Sequence, residues 1–200
     1  ASITAPTSIN AAFGAVGLVA KRDLAAGEEV LISYFESEPN AHILARFGFV
    51  PTGGNRHDRI LGLAPQAGAA EFVPLSGAAI RETTGANKGR WSADGPLLEA
   101  ALLSLPLTRA PSLGPEGEVA AATAIEGWLE GVAEREFATT LEDDEQTLKM
   151  LRALPAATGD ESIAAALLEY RIQRKQLWRV ALDVLAAHKE VHGGHDEYKV

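Results

Sequence analysis

The sequence predicts an α+β fold in which a β-rich N-terminal part precedes an all-helical C-terminal part. Before residue 35, apolar and polar residues alternate in two short stretches, which is the period of a half-buried strand. After about residue 95, apolar residues recur every three or four positions, which is the period of an amphipathic helix. Each helical stretch also begins near a start signal, so the change of period marks a change of architecture.

The two strand-like stretches frame a turn and predict a β-hairpin. Alternation runs over residues 16–20 and again over 30–34, and Gly27 between them can adopt the positive φ that a tight turn needs. The first 15 residues show no period and predict a loop or a frayed end.

A short helix is predicted after the hairpin, with Asn40 as its N-cap and Gly48 as its terminator. A polar loop over residues 51–58 follows. A strand-like stretch over 60–63 then ends the β-rich part.

The segment from 64 to 94 is rich in Gly and Ala and has weak periodicity, so it predicts a junction between two domains. The predicted domains are therefore 1–63 and 95–200. Four helical stretches follow the junction, at 96–105, 116–137, 141–154 and 161 to about 191.

Start signals accompany three of these helices. Pro115 precedes the second helix, Thr139 with Glu142 matches a capping box for the third, and Asp160 is placed to cap the fourth.

The composition excludes several classes of function. The 18 basic and 27 acidic residues give a formal charge of -9 with no Lys/Arg stripe, so nucleic acid is not an expected ligand. The absence of Cys rules out disulfides, thiolate zinc sites and a Cys nucleophile. No apolar run approaches the ~20 residues of a membrane span, and no signal peptide is visible, so we expect neither a membrane protein nor a defined compartment.

Four ordered elements resemble a known catalytic domain. Residues 18–34 combine a strand, an Ala-Gly-Glu-Glu turn and an Ile-Ser-Tyr strand that ends at Tyr34, and Asn40, 45–50 and 55–58 follow in order. They resemble the closing hairpin and the S-N, Y-G-F and N-x-H-D elements of SET-domain protein methyltransferases of the Rubisco large-subunit methyltransferase type.

The resemblance implies methyl transfer from S-adenosyl-L-methionine to a lysine amine, with Tyr34 beside the methyl group and Phe49 beside the adenine. A fixed phenol can orient a neutral amine in line with the sulfonium methyl and help to exclude water. From pattern alone, Tyr34 is better explained as a strand aromatic that covers the core, and Phe49 as a core residue after a helix. The resemblance reverses both preferences. The polar cluster at 55–58 suggests either a metal or acid/base group or a structural loop network, and the network is favoured.

The sequence departs from the family at two positions. Phe35 stands where Gly or Asp is usual, and Phe47 where many members have Tyr. The family's cofactor-binding N-H-S motif is also missing, and Asn10 lies too close to Tyr34 to replace it. We therefore expect the front of the SET domain to be absent, and the 200-residue chain alone to be inactive.

The helical part resembles the same family more loosely. Residues 139–145 and 168–177 resemble the T-T-x-E-x-D-E and Y-R-x-x-x-K-x-x-L patterns of its substrate-binding domain. The resemblance implies a protein substrate as partner of the helices, and it favours the chloroplast as location.

Two groups of charged residues on the last helix leave alternatives open. The first group has four basic residues, which form either the solvated face of the helix or a contact for a protein substrate. They are Arg171, Arg174, Lys175 and Arg179. The other is an exposed tail or a metal site, and consists of His188, His192 and His195. The solvated face and the exposed tail are favoured, so no metal is predicted.

Two functions from different classes follow. The first is the C-terminal portion of a lysine methyltransferase, whose helical domain binds the protein substrate. The second is a non-catalytic interaction or assembly subunit that keeps the helical domain and a remnant of SET, which Phe35 and the missing cofactor motif favour.

Overall fold

The computed structural model describes residues 2–4, 19–20, 22–32, 37–60, 73–91, 94–154 and 159–194. Its contacts divide the chain into two compact units, Ala1–Glu38 and Pro39–Val200. Six α-helices and five short β-strands lie in these described ranges, so the fold is α+β with helix dominant.

The first unit contains a three-stranded sheet. Its strands are β1 (Ser2–Thr4), β2 (Val19–Ala20) and β3 (Leu31–Ile32), in the order β2-β1-β3. β1 pairs antiparallel with β2 and parallel with β3. The predicted hairpin is therefore wrong, because β1 lies between the two strands that were expected to pair. A three-residue strand is too short for alternation to reveal it. Gly27 has the predicted positive φ of 82°.

The second unit is a helical bundle with one small parallel strand pair. Its elements are α1 (Asn40–Phe47), β4 (Leu75–Ser76), α2 (Gly77–Ala86), α3 (Gly95–Ser104), β5 (Leu107–Thr108), α4 (Pro115–Glu136), α5 (Leu141–Arg152) and α6 (Gly159–Gly193). β4 pairs with β5, with Leu75 opposite Leu107.

The 35-residue helix α6 is the centre of this unit, because α1, α2, α3, α4 and α5 all pack against it. Its buried stripe, which includes Leu177, Val184 and Leu185, joins the main hydrophobic core. Trp178 adds a specific contact, since its indole Nε1 donates a hydrogen bond of 2.9 Å to the carbonyl of Leu129 on α4.

The four helices predicted after residue 95 are confirmed within two residues at each end, as is the termination of α1 at Gly48, whose φ is 72°. α2 lies in the Gly/Ala-rich segment and was missed, because Ile80 is the only large apolar residue in it. Ile60 lies in no strand, and 61–63 fall outside the described residues. The predicted domain limits at 63 and 94 stay predictions.

Three of the predicted caps are wrong, those of α1, α5 and α6, and the first is described with the site below. The N-cap of α5 is Thr140, whose hydroxyl accepts from the backbone of Asp143 while the Asp143 carboxylate accepts from the backbone of Thr140. Thr139, the residue predicted for this role, instead bonds to the buried carboxylate of Asp144. Asp160 lies inside α6, which begins one residue earlier.

No helix in the described ranges combines the length and the apolar character that crossing a membrane requires.

Candidate functional site

Tyr34 and Phe35 lie outside the described residues. The other elements of the predicted site belong to the second unit, where α1, the polar loop 51–58 and α6 meet.

A group of four polar side chains, three buried and one half-buried, joins these three segments and is here called the Asn40 cluster. It consists of Asn40, Asn55, Asp58 and Gln173. Asn40 was predicted to be the N-cap of α1. The N-cap is instead Pro39, and Asn40 is the first residue of the helix. Its side-chain amide donates to Asp58 Oδ2 at 3.0 Å and to Gln173 Oε1 at 2.9 Å. Its amide oxygen accepts from Asn55 Nδ2 at 3.1 Å.

The cluster continues into the backbone on both sides. The backbone N–H of Asn40 donates to Asp58 Oδ1 at 3.0 Å, and Gln173 Nε2 donates to the carbonyl of Pro51 at 2.7 Å. Asn55 Oδ1 accepts from the backbone N–H of His57 at 2.9 Å. Both amide protons and the amide oxygen of Asn40 are thus satisfied, so the loop is fixed in one position against α1 and α6.

The Asp58 carboxylate in this cluster is closed to substrates. It is 4% exposed, and both oxygens accept hydrogen bonds from Asn40. Burial raises the pKa of Asp58, and hydrogen bonds from the backbone of Asn40 and Arg59 offset that effect only in part. Within the 55–58 cluster, the side chains of Asn55 and Asp58 therefore have the structural role that was favoured, because they hold the loop against α1.

Phe49 lies between the two parts of the chain that the cluster fixes. Its side chain is 49% exposed, so it is not a core residue of the second unit. Its ring centroid is 6.3 Å from that of Phe47, at an interplanar angle of 58°, and the Arg46 guanidinium lies 5.9 Å from the Phe47 ring. The pair presents an aromatic surface to which a flat ligand can bind.

The basic residues of α6 form a second polar group. Lys175 Nζ is buried and donates to Asp144 Oδ2 at 2.6 Å, to the carbonyls of Thr139 and Thr140 at 2.7 and 2.9 Å, and to Thr139 Oγ1 at 2.9 Å. Arg171 donates to Asp144 Oδ1 at 2.8 Å. Although burial opposes ionisation, hydrogen bonds from Lys175 and Thr139 hold the pKa of Asp144 below its usual value.

These basic residues were expected either to form a solvated helix face or to contact a protein substrate. Neither expectation holds for Arg174 and Lys175. Lys175 and Arg174 are buried rather than solvated or available to a substrate, and Arg174 pairs with Glu136 at 2.7 Å. Arg171 is partly exposed, and Arg179 lies on the surface. The segments 139–145 and 168–177, which carry the looser resemblance, thus contact each other through ionic hydrogen bonds.

His188 forms a third polar group and contradicts the expectation of an exposed tail. It is 0% exposed, because α6 continues past it to Gly193. Its Nε2 lies 3.0 Å from Glu118 Oε2 and its Nδ1 lies 2.9 Å from Thr83 Oγ1. A neutral ring satisfies both contacts, since Nε2–H donates to the carboxylate and the threonine hydroxyl donates to Nδ1.

Electrostatics agree with a neutral His188. Burial lowers its pKa, the attraction of Glu118 opposes this in part, and His192 at a ring-centroid distance of 4.4 Å lowers it further. The Glu118 carboxylate also accepts from the backbone of Leu113 and Ser76. Although burial opposes ionisation, these bonds and His188 hold the pKa of Glu118 below its usual value. His195 lies outside the described residues.

The sequence contained a signal for the burial of two residues, namely Gln173, which the predictions did not single out, and His188, which they assigned to an exposed tail. Gln173 and His188 lie four residues before Leu177 and four after Val184, so both fall on the apolar stripe of α6. A polar residue on an apolar stripe needs a buried partner. The partners themselves, Asn40 and Glu118, lie far away in the sequence, and periodicity cannot identify them.

Comparison with known proteins identifies no family. No protein-family model matches the chain, and no curated protein matches it either. The class of protein is therefore inferred from the motifs and from the geometry of the second unit.

Replacing Asn40 by Ala should lower the free energy of unfolding by at least about 2 kcal/mol, because it removes the hydrogen bonds that the Asn40 amide donates to the buried oxygens of Asp58 and Gln173. Urea denaturation at constant pH measures the change. Gln146→Ala, at an exposed position on α5, is the control and should cost less than about 0.5 kcal/mol. Equal effects of the two substitutions would contradict the assigned role of the cluster.

Replacing Lys175 by Met should destabilise the protein by about 3 kcal/mol, since Asp144 then stays buried with less compensation. The double variant Lys175→Met/Asp144→Leu should recover at least half of that loss, because the one charge left without its partner, that of Arg171, is partly exposed to water. Lys149→Met, on the exposed face of α5, should be nearly neutral. A double variant that is less stable than the single one would show that packing, and not charge, dominates at this position.

Stability should fall as the pH is lowered through about 6.5, the ordinary pKa of a histidine side chain, because the unfolded chain then binds a proton that folded His188 excludes. Stability falls, rather than rises, as the pH is lowered because the pKa of His188 is lower in the folded protein than in the unfolded chain. His188→Gln should be less stable at neutral pH but should lose most of this dependence between about pH 5.5 and 7.5. His42→Gln, at an exposed position, should keep it. Denaturation midpoints across the range provide the test.

Proposed function

We propose that the chain is the C-terminal portion of an S-adenosyl-L-methionine-dependent protein-lysine methyltransferase of SET type, in which the helical unit binds the protein substrate. Tyr34 acts on the methyl group and the lysine amine, and Phe49 contacts the adenine. The roles of these two residues come from the motif resemblance.

The observation that carries the proposal is the composition of the Asn40 cluster. Asn40 represents one SET-like element, and Asn55 with Asp58 represents another, 15 and 18 residues further along the chain. Gln173, from the helical segment that resembles the substrate-binding domain, bonds to Asn40 directly. Chance matches to a pattern have no reason to share one buried network, whereas elements selected together do.

The position of Phe49 supports the same proposal. The ring keeps half of its surface exposed while the backbone on both sides is held by the cluster, so it is a rigid apolar face. Such a face suits an adenine ring, because offset aromatic packing needs little rearrangement. The cofactor supplies a sulfonium-bound methyl group as electrophile. The chain supplies the phenol that orients the amine and the walls that keep out water.

A non-catalytic interaction role is the second candidate, and an apolar groove between α1 and α6 favours it. The groove has a volume of about 370 Å³ and includes Leu44, Ile163, Leu167 and Tyr170. Ile163 and Leu167 are 58% and 48% exposed. Exposed apolar surface of this kind is common where proteins associate.

Tyr34→Phe in the full-length gene product should reduce turnover by at least about 100-fold, because the lost hydroxyl acts on the reacting groups. Affinity for S-adenosyl-L-methionine, measured by calorimetry, should change less than about twofold, since the phenol contributes little to ground-state binding. Tyr198→Phe removes the same hydroxyl outside the segments that carry the resemblance, so it is the matched control and should leave both quantities unchanged.

Two results would change the assignment. Equal losses of turnover and cofactor affinity in Tyr34→Phe would make Tyr34 a structural residue. Failure of the full-length protein to bind the cofactor at all would leave the interaction role as the better proposal.

A further inference from the structure

A polar cleft of about 450 Å³ lies in the second unit, apart from the Phe49 surface. The loop at 52–54, the start of α3, the second half of α5 and the middle of α6 enclose it. Its volume falls within the range of about 300–1,000 Å³ that is typical of small-molecule sites. The cleft belongs to neither of the functions proposed above.

The loop at the edge of the cleft has a defined shape. Gly53 and Gly54 both have positive φ, at 80° and 88°. A Cβ at Gly54 would lie 3.3 Å from Leu97 Cγ, so the backbone approaches α3 closely. Gln173, a member of the Asn40 cluster, ties the start of this loop to α6 and also lines the cleft. The wall is therefore fixed before any ligand arrives.

Four charged side chains line the cleft, and two of them already form a pair. Arg152 of α5 bonds to Glu169 of α6. Arg179 and Asp94 make no side-chain hydrogen bond or ion pair to any described residue, although both face the cleft. Asp94 precedes α3 without capping it through its side chain. Within the described part of the chain, the cleft thus offers one unpaired cation and one unpaired anion.

The rest of the wall combines apolar side chains, which include Leu97, Leu148 and Ile172, with the polar side chains of Thr52, Gln173 and Gln176. A ligand that matches all three features carries a carboxylate for Arg179, an ammonium group for Asp94 and an aliphatic portion for the wall. A phosphate dianion matches poorly, because Arg179 is the one unpaired cation among the described lining residues and the unpaired Asp94 carboxylate would repel a second negative charge.

We propose that this cleft binds a free aliphatic α-amino acid, with its carboxylate on Arg179 and its ammonium group on Asp94. The proposal does not depend on the methyltransferase assignment. It predicts that both charges of the ligand are needed together.

Amide chemical shifts of the 200-residue chain, followed by NMR during titration with L-leucine, test the proposal. Leucine should shift amides around Gly53, Gly54 and Gln176 in a saturable manner. 4-Methylpentanoate lacks the ammonium group and 3-methylbutylamine lacks the carboxylate, and each should bind about tenfold or more weakly.

Two variants and a matched control complete the experiment. Arg179→Gln and Asp94→Asn should each raise the Kd for leucine by about tenfold or more, while the rest of the amide spectrum stays that of a folded protein. Arg135→Gln makes the same charge change at an exposed position on α4, outside the cleft, and should leave the Kd unchanged. Absence of saturable shifts with leucine, equal binding of leucine and the two analogues, or an unchanged Kd in both cleft variants would overturn the proposal.

Discussion

The burial of α6 is the constraint on which the second unit depends. Five helices pack around a single 35-residue helix, and its buried residues are concentrated between Ile172 and His188. Any polar residue at a buried position on it must then find a partner within the protein, because an unpaired buried donor or charge costs more than a typical hydrogen bond contributes. Gln173, Lys175 and His188 are three such residues, and each is satisfied by a different neighbouring segment.

These three polar contacts determine where the neighbouring elements lie along α6. Gln173 fixes α1 and the loop that follows it, Lys175 fixes the N-terminus of α5, and His188 links α2 and α4 through Thr83 and Glu118. Apolar packing alone allows a helix to shift along α6 at little cost, whereas a hydrogen bond between two specific atoms is lost by such a shift. The small and apolar residues of the core provide most of the stability, and the polar contacts select one arrangement of the helices.

The sequence was informative where a signal is local. The four late helices follow from apolar period and from caps, and the turns at Gly27 and Gly48 follow from the freedom of glycine. Prediction failed where the signal is weak or the partner is distant. The segment that forms β1 is too short to show alternation, and its partners β2 and β3 lie further along the chain. The helix α2 has a single large apolar residue and therefore no apolar period. Distant partners also explain why the burial of Arg174 and Lys175 was not predicted. Their buried positions depend on Glu136 and Asp144, which lie on other segments of the chain.

The Asn40 cluster connects the helical bundle to the candidate ligand surfaces. The side chain of Gln173 forms two hydrogen bonds, one to Asn40, which precedes Phe49 in the chain, and one to the carbonyl of Pro51, which follows it. Pro51 begins the loop that borders the polar cleft. A shift of α6 by one residue would therefore move the aromatic surface and the cleft edge together. Occupation of either surface can influence the other through this cluster and through the two-residue segment 50–51, because both connect Phe49 to the loop at 52–54.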